Sequence, residues 1–244
     1  MARQSVAYKK RLDIRGGDAL KPVDVETGIS TVKSMAAVRS DRTYKNGRKR
    51  KGTDQTLQLV MHLGIDPKQA DQMLRGAISL PKGIGKSRRV IAFCEGDAAV
   101  QAKAAGAIEA GGDELIEKIQ KENWFEFDVA VAHPSLMGKV GKLGRVLGPH
   151  GLMPTPKAGT VTPDVVTAVR EFAAGRIEFR NDAGGNVHVP VGKASFSVAD
   201  LRANIEAVVA HIGRAKPASA KGQFFKKVCL AGVNTPSVML NVGS

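Results

Sequence analysis

The chain has few of the residues on which several protein classes depend. Its 244 residues include only 2 cysteines, too few for a disulfide scaffold or a cysteine-based zinc site. Cys94 and Cys229 each lie in an apolar, strand-like run, so we expect both to be small core residues. Aromatic residues make up 5%, which argues against binding by many stacked bases. No apolar run reaches the roughly 18 residues of a membrane span.

Targeting and catalytic motifs are scarce as well. The first 20 residues lack the apolar centre of a secretory signal, and their basic composition fits an organelle-targeting segment or, by default, a cytoplasmic protein. Residues 83–87, GIGKS, look like the end of a phosphate-binding loop, but Leu80 stands where that loop needs glycine. No GxGxxG or GxSxG occurs, and the five histidines lack metal-ligand spacing. We therefore expect no enzyme activity, cofactor or metal.

What the chain does contain is an excess of basic residues. It has 37 Lys and Arg against 23 Asp and Glu, a formal net charge of +14, within an ordinary globular composition. Residues 1–82 hold 17 basic and 8 acidic residues, residues 83–173 hold 11 of each, and residues 174–244 hold 9 and 4. A folded protein with this charge is expected to bind a polyanion such as nucleic acid.

Hydrophobic patterning in the two outer segments is typical of helices packed on an antiparallel sheet. Apolar and polar side chains alternate over residues 56–63, which predicts a strand with one buried face. Residues 198–214 form an amphipathic helix, and Asp24 is placed to cap another helix over 25–38. The other predicted elements are a helix at 163–174, a hairpin of 176–180 with 187–191, and a last strand pair at 224–232 and 237–241.

The middle of the chain instead alternates strands with helices. Strands at 89–94 and 128–132 are apolar throughout, as expected for parallel strands buried on both faces. Three helices follow or separate them, which completes the pattern of a doubly wound α/β sheet. These helices are predicted at 97–107, 112–121 and 134–147.

Charge and strand pattern change at the same two places, near residues 82 and 174. If the outer segments fold together, residues 1–82 plus 174–244 form one basic domain that carries a neutral inserted domain, residues 83–173. Glycines concentrate at both boundaries, and glycine permits backbone conformations that other residues avoid. We expect Gly83, Gly85 and Gly175 to act as hinges that let a cleft open and close.

Two basic stretches are candidate nucleic-acid contacts. Residues 39–52, RSDRTYKNGRKRKG, contain seven Lys or Arg and one Asp, and such a loop either contacts phosphates or is merely solvated. Its place in a segment that carries the net charge favours contact. Residues 137–157 hold five glycines and three prolines, and Lys139, Lys142 and Arg145 could contact phosphates there. A solvated helix end followed by a rigid loop explains this composition equally well.

Three long stretches closely resemble one known family. They are LGIDPKQADQMLRGAISLPKGIGK at 63–86, GKLGRVLGPHGLMPTPKAGTVTPDV at 141–165 and GRIEFRNDAGGNVHVPVGKASF at 175–196. Together they resemble the bacterial large-subunit ribosomal protein L-one family over nearly the whole chain. The resemblance implies two α/β domains. The outer one is a discontinuous α+β domain of split β-α-β type with an antiparallel sheet, and the inserted one is a Rossmann-like three-layer α/β domain.

The resemblance also implies a function. The family consists of non-enzymatic, ribosome-associated proteins that bind the stalk region of large-subunit (23S) rRNA. Its members assist movement and release of tRNA at the exit site, and bacterial members repress translation of their own operon by binding its mRNA leader. We expect the free protein to be a cytoplasmic monomer. The alternative is a mainly extra-ribosomal repressor or general nucleic-acid binder. A nucleotide-dependent enzyme is disfavoured by Leu80 and by the missing glycine motif.

The resemblance places the RNA-binding residues on the outer domain, before the first strand, around the predicted hairpin and near the last strand pair. Lys and Arg there would position phosphates, and hydroxyl and backbone groups would contact sugars and base edges. With the basic stretch at 48–51, the candidates are Arg48, Lys49, Arg50, Lys51, Thr53, Asp54, Thr56, Arg180, His188, Lys193, Ser195, Lys221, Gly222, Lys226, Lys227, Val233, Asn234, Thr235 and Pro236.

The chain departs from the family pattern at three places. Val233, Asn234 and Thr235 stand where the family has threonine, methionine and glycine before the last proline. Thr53 replaces a phenylalanine and follows the extra basic loop, so we hypothesise that phosphate contacts by the loop replace lost packing. His150 replaces an arginine, which weakens any contact assigned to that position.

Overall fold

The structure of the protein, a computed structural model, describes residues 6–16, 21–38, 54–69, 71–122, 124–220 and 222–242. The fold is mixed α/β, with a four-stranded antiparallel sheet and a three-stranded parallel sheet, as the sequence predicts, and with a further two-stranded sheet. Its contacts form two compact units. Unit 1 comprises Met1–Leu74, Leu80–Ile84 and Arg180–Ser244, and unit 2 comprises Arg75–Ser79 and Gly85–Phe179.

The elements are numbered along the chain. The helices are α1 (Val6–Arg15), α2 (Val25–Ala37), α3 (Asp97–Ala104), α4 (Asp113–Glu122), α5 (Met137–Val140), α6 (Gly144–His150), α7 (Val165–Ala173) and α8 (Val198–Arg214). The strands are β1 (Thr56–Leu63), β2 (Arg75–Ile78), β3 (Val90–Phe93), β4 (Glu109–Gly111), β5 (Val129–Ala132), β6 (Ile177–Arg180), β7 (Asn186–Lys193), β8 (Phe225–Gly232) and β9 (Val238–Met239). Within the described ranges, no helix has both the length and the apolar composition needed to cross a bilayer.

Unit 1 is built on a four-stranded sheet in the order β7-β1-β8-β9, with antiparallel neighbours. Burial alternates along β1, where Leu57, Leu59 and Met61 are fully buried. Helices α2 and α8 pack on this buried face through apolar stripes, because their inward residues recur at helical spacing. The predicted strand 56–63 and helix 198–214 are confirmed with these bounds. The opposite side of the sheet, which carries Gln58 and His188, is called the open face below.

The predicted hairpin of 176–180 with 187–191 is wrong. Strand β6 pairs with β2 in a separate two-stranded sheet, whereas β7 pairs with β1. Only an isolated bridge between Asn181 and Val187 joins the two segments. A turn does form between them, since Oδ1 of Asp182 accepts hydrogen bonds from the backbone N–H groups of Gly184 and Asn186 at 2.8 and 2.7 Å. Turn residues predicted that reversal, but they do not specify which strand each arm pairs with.

Unit 2 contains a parallel sheet in the order β4-β3-β5, so its first strand is central. All four residues of β3 and all four of β5 are buried, as expected for a sheet covered on both faces. One face packs against α4, α5 and α6 around Phe93 and Ile119, and the other packs against α3 and α7 around Phe172. The predicted alternation of strands and helices in this segment is confirmed.

The helix predicted at 134–147 is broken into short pieces. A 3-10 turn at Pro134–Leu136 leads into α5, and a second one at Gly141–Leu143 leads into α6. Glycine recurs through this stretch, and each glycine in a helix interior costs up to about 1 kcal/mol relative to alanine. Buried Leu136, Val140 and Leu143 still keep the segment on the sheet. Packing therefore maintains a helical path that local propensity does not favour.

Candidate nucleic-acid interface

One end of the unit 1 sheet brings together loops that are far apart in the sequence. Thr56 begins β1 opposite Lys193, the last residue of β7, and Leu57 lies opposite Gly232, the last residue of β8. The segments before β1, after β7 and after β8 therefore meet at this end of the sheet. We call their candidate residues the strand-end cluster. It consists of Asp54, Thr56, Lys193, Ser195, Val233, Asn234, Thr235 and Pro236.

Two side-chain pairs fix the first half of the strand-end cluster. Asp54 accepts a hydrogen bond from the Ser195 hydroxyl at 2.7 Å and another from the Ser195 backbone N–H at 3.1 Å. Lys193 donates from Nζ to Oγ1 of Thr56 at 2.9 Å. The Lys193 ammonium has three donors, so two stay available for phosphate oxygens. Asp54 holds the turn at Ser195 and, as an anion, is unsuited to contact phosphate itself.

The four candidates in the loop after β8 differ in exposure and in role. Thr235 closes the turn, because its Oγ1 accepts from the Gly232 backbone N–H at 2.7 Å and its own N–H donates to Gly232 O at 3.1 Å. Pro236 is buried. Val233 is 72% exposed and Asn234 is exposed as well. The side chains of Val233 and Asn234 are therefore the two that face outward from this loop.

The remaining described candidates of unit 1 do not join this cluster. His188 lies opposite Val60 and Lys227 lies opposite His62, so both project from the open face toward its other end. Thr56 and His62 are six residues apart on one strand, which corresponds to about 20 Å. Lys226 and Gly222 are exposed beyond that point. Arg180 ends β6, outside the four-stranded sheet, and is exposed.

Polar groups also line the far part of the open face. His62 and Asn186 face each other across β1 and β7, with Nδ1 of His62 2.9 Å from Oδ1 of Asn186. Nε2 of His188 lies 4.0 Å from Oδ2 of Asp182. Hydrogen bonds from the Asn186 side chain, and then from the backbone of Asn186 and Gly184, hold the pKa of Asp182 below its usual value. His62 and Asn186 were not among the sequence candidates.

Six candidates lie outside the described residues. They belong to the basic stretch that precedes β1 and to the segment that precedes β8, and their contribution to binding stays a prediction. These residues are Arg48, Lys49, Arg50, Lys51, Thr53 and Lys221.

The three candidates of unit 2 differ from one another. Lys139 is committed to acidic neighbours, with Nζ 2.8 Å from Oδ2 of Asp113 and 3.4 Å from Oε1 of Glu95. These contacts, first of all the hydrogen bond to Asp113, raise the pKa of Lys139 above its usual value. Lys142 and Arg145 are exposed, and neither has an ion pair with any residue that the structure describes. Only Lys142 and Arg145 are therefore presented for an external phosphate.

The proposed hinge glycines adopt the backbone region that favours glycine. Gly83, Gly85 and Gly175 have φ values of +63°, +70° and +111°. Asn204, fully buried on α8, anchors the first of them by donating to Gly83 O at 3.0 Å and accepting from the Lys82 backbone N–H at 3.1 Å. The conformations suit a pivot, and the hinge function itself stays a prediction.

The structure adds two supporting residues that the sequence interpretation missed. Arg11 and Gln55 are only 8% and 9% exposed, and both hydrogen-bond to the backbone of Asn234. A polar residue directly before an alternating strand, at an inward position, was the available signal for Gln55. No local pattern marks Arg11, because it is one of five charged residues among the ten of α1.

This arrangement offers ammonium groups, hydroxyls, an exposed amide and backbone groups, which are the groups that contact phosphates, ribose and base edges. Among the described residues, His, Cys, Asp and Glu nowhere come together in a group of three or more that could hold a metal ion. The geometry thus supports binding of nucleic acid through positioning and charge.

A comparison with protein families matches residues 43–236 to the ribosomal protein L1p/L10e family. The match contains all three stretches on which the sequence resemblance rests, and it confirms that resemblance. Since it covers well over half of the chain, the chain belongs to the ribosomal protein L1p/L10e family, and as such it is a structural, rRNA-binding protein of the large ribosomal subunit.

Proposed function

We propose that unit 1 binds the stalk region of large-subunit (23S) rRNA through the strand-end cluster and the open face. The observation that carries this proposal is the distribution of charge. The sequence of unit 1 contains 24 basic and 11 acidic residues, whereas unit 2 contains 13 and 12. Almost the entire excess of positive charge thus belongs to the unit in which the three strand-end loops meet. Neutralising phosphates dominates RNA affinity, so this unit is the binding one.

In this proposal, two kinds of contact bind the RNA: charge contacts to its backbone and hydrogen bonds to its ribose and bases. Lys193, Lys226 and Lys227 position the RNA backbone by charge. The Ser195 hydroxyl and the Asn234 amide hydrogen-bond to ribose 2′-hydroxyls and to exposed base edges. Asp54 fixes Ser195 by hydrogen bonds, and Thr235 closes the turn that carries Asn234. Recognition then depends on the shape of the folded RNA as well as on its charge.

The finer architecture belongs to the same proposal. Residues 1–82 plus 174–244 form a discontinuous outer domain of split β-α-β type, into which residues 83–173 are inserted as a Rossmann-like three-layer domain. Gly83, Gly85 and Gly175 are the hinges between the two domains. Lys142 and Arg145 are the phosphate contacts that the inserted domain adds.

The protein acts in translation in two further ways under this proposal. On the ribosome it assists movement and release of exit-site tRNA. Free of the ribosome, as a cytoplasmic monomer, it represses translation of its own ribosomal-protein operon by binding an mRNA leader that presents the same RNA shape. No cofactor or catalytic residue is assigned, because capture of RNA by unit 1 accounts for both roles.

Fluorescence anisotropy with a stalk rRNA fragment tests the proposal. Ser195→Ala and Asn234→Ala should each weaken binding about three- to tenfold, as expected for loss of one hydrogen bond to the RNA. Ser30→Ala and Asn241→Ala, at exposed positions outside the cluster, should leave affinity unchanged. Equal affinity of all four variants and the wild type would contradict the proposed surface.

The alternative function, a mainly extra-ribosomal repressor or general nucleic-acid binder, is separated by sedimentation. A stalk protein co-migrates with large subunits and dissociates only at high salt, because its contacts are electrostatic. A protein that stays at the top of the gradient at low salt, while still binding the mRNA leader, would support the alternative instead.

A further inference from the structure

The backbone of Asn234 is held from both sides by two buried polar side chains. Nη1 of Arg11 donates to Asn234 O at 2.8 Å, and the Asn234 N–H donates to Oε1 of Gln55 at 3.4 Å. Arg11 and Gln55 come from distant parts of the chain, 223 and 179 residues away from Asn234. With both of its main-chain groups bonded inward, Asn234 has only its side chain to present outward.

The same two side chains fasten this loop to the end of α2. Nε of Arg11 donates to Met35 O at 3.1 Å and Nη2 donates to Val38 O at 2.7 Å, while Nε2 of Gln55 donates to Ala36 O at 3.2 Å. The last carbonyls of a helix have no partner within it, and the negative end of the helix dipole attracts a cation. One buried guanidinium thus satisfies the helix end and the loop after β8 together.

A rigid helix end is a firm support for a binding loop. Helix α2 is anchored to the sheet by Ile29, Val32 and Met35, all fully buried. By contrast, Val233 and Asn234 are exposed and gain nothing from the core. Their conformation therefore depends on the hydrogen bonds to Arg11 and Gln55, together with the turn that Thr235 closes.

We propose that Arg11 and Gln55 are positioning residues for RNA binding: they form a clamp that fixes the Asn234 backbone and so aims the Asn234 side chain at the RNA. This inference rests on the proposed function of the strand-end cluster. A loop that is already ordered avoids the entropy cost of ordering on binding. The clamp thus raises affinity although neither Arg11 nor Gln55 contacts the RNA. Residue 11 lies outside the range that matches the family.

The first test compares two charge removals on α1 in the full chain, with the stalk rRNA fragment as the probe. Arg11→Met should reduce affinity about tenfold or more, because it releases the loop. Lys9→Met, at an exposed position one turn or less away, removes the same charge and should reduce affinity about threefold or less. Arg11→Lys replaces the planar guanidinium, which donates to three carbonyls, by a single ammonium group. Its loss of affinity should lie between the losses of the two methionine variants. Equal losses for Arg11→Met and Lys9→Met would overturn the clamp.

The second test is the coupling between the clamp and the side chain it aims. Asn234→Ala should weaken binding about three- to tenfold in the wild type and less than twofold in the Arg11→Met background. Without the clamp the Asn234 amide is no longer positioned to contact the RNA, so its removal costs little further affinity. A merely destabilising role for Arg11 predicts the same loss in both backgrounds, and that result would overturn the inference. Ile212→Ala, at a fully buried position of α8 that is not part of the clamp or of α2, serves as the stability control.

A third measurement tests the clamp without Arg11→Met, in case that variant does not fold. Gln55→Met removes only the Asn234 N–H acceptor and the bond to Ala36. It should speed hydrogen exchange of the Asn234 amide at least tenfold and reproduce the loss of coupling to Asn234→Ala. Unchanged exchange in this variant would contradict the clamp. If Asn234→Ala and Ser195→Ala leave wild-type affinity unchanged, the proposed surface fails, whereas normal losses without coupling mean that only the clamp fails.

Discussion

The hydroxyl of Ser195 donates a 2.7 Å hydrogen bond to the carboxylate of Asp54, a residue 141 positions earlier in the chain. The backbone N–H of Ser195 donates to the other carboxylate oxygen, so Asp54 holds both the main chain and the side chain of the turn after β7. An acidic residue thereby sits within a surface that we assign to RNA. Asp54 has a structural role there: it positions the turn at Ser195 and does not itself bind the RNA.

This relationship predicts an effect opposite to the one expected from charge. Asp54→Ala removes a negative charge from the surface, which by electrostatics alone should strengthen RNA binding. We expect it to weaken binding of the stalk rRNA fragment about three- to tenfold, because Ser195 loses both of its hydrogen bonds to Asp54. Anisotropy titrations at constant salt measure the effect. Asp71→Ala, at another exposed carboxylate of unit 1, is the control and should bind as well as or slightly better than the wild type.

The basic stretch before β1 should contribute to RNA binding through its charge. Deleting residues 41–51 removes six Lys and Arg and one Asp from the sequence. RNA affinity should fall, and the dependence of log K on log salt should flatten, since each lost phosphate contact lowers the slope by about 0.7–0.9. An unchanged slope after the deletion would show that this stretch is only solvated.

Asn204 should be the most sensitive polar residue of unit 1 to substitution. Its side chain accepts from the Lys82 N–H and donates to Gly83 O and Val191 O, at 3.1, 3.0 and 2.8 Å, in a fully buried position. Asn204→Ala leaves these main-chain groups without partners, which should lower the free energy of unfolding by about 2–4 kcal/mol. Urea denaturation checks this value. Asn241→Ala, at an exposed position, should change stability by less than about 0.5 kcal/mol.

Acid should weaken the turn between β6 and β7. Hydrogen bonds from the Asn186 side chain and from backbone N–H groups lower the pKa of Asp182 in the folded protein. A carboxyl group with a lowered folded pKa stabilises the fold above its unfolded pKa, about 4, and this contribution is lost as pH falls through the folded value. The difference in unfolding free energy between wild type and Asp182→Ala should therefore shrink between pH 7 and pH 3. A difference that stays constant over this range would contradict the assignment.

Elements with their own periodicity were predictable from the sequence. The alternation in β1 and the helical stripe in α8 each specify which side chains are buried, and both elements have the predicted bounds. Strand partners were not predictable in the same way. The arms of the expected hairpin pair with β2 and β1 instead, because pairing is decided by contacts across the whole unit and not by the turn at Asp182.

Some residues of the candidate site were likewise predictable from the sequence, and others were not. Motif resemblance proposed Lys193, Ser195 and Asn234, and the structure brings these three to one end of the sheet. It separates them from Lys226 and Lys227, which the sequence interpretation places in the same RNA-binding set. The clamp by Arg11 was beyond sequence reasoning, because it depends on a single side chain that reaches both the end of α2 and a loop more than 200 residues away.

The central claim, that unit 1 carries the RNA-binding charge, is tested most directly by the salt dependence of binding for two full-chain triple variants. One combines Lys193→Met, Lys226→Met and Lys227→Met in unit 1, and the other combines Lys103→Met, Lys121→Met and Arg170→Met in unit 2, at positions that are not candidate RNA contacts. Each removes three exposed or partly exposed positive charges. With the stalk rRNA fragment, the unit 1 variant should lower the slope of log K against log salt by about 2–3, and the unit 2 variant by less than about 1. A unit 2 variant that flattens the slope as much as the unit 1 variant would contradict the account.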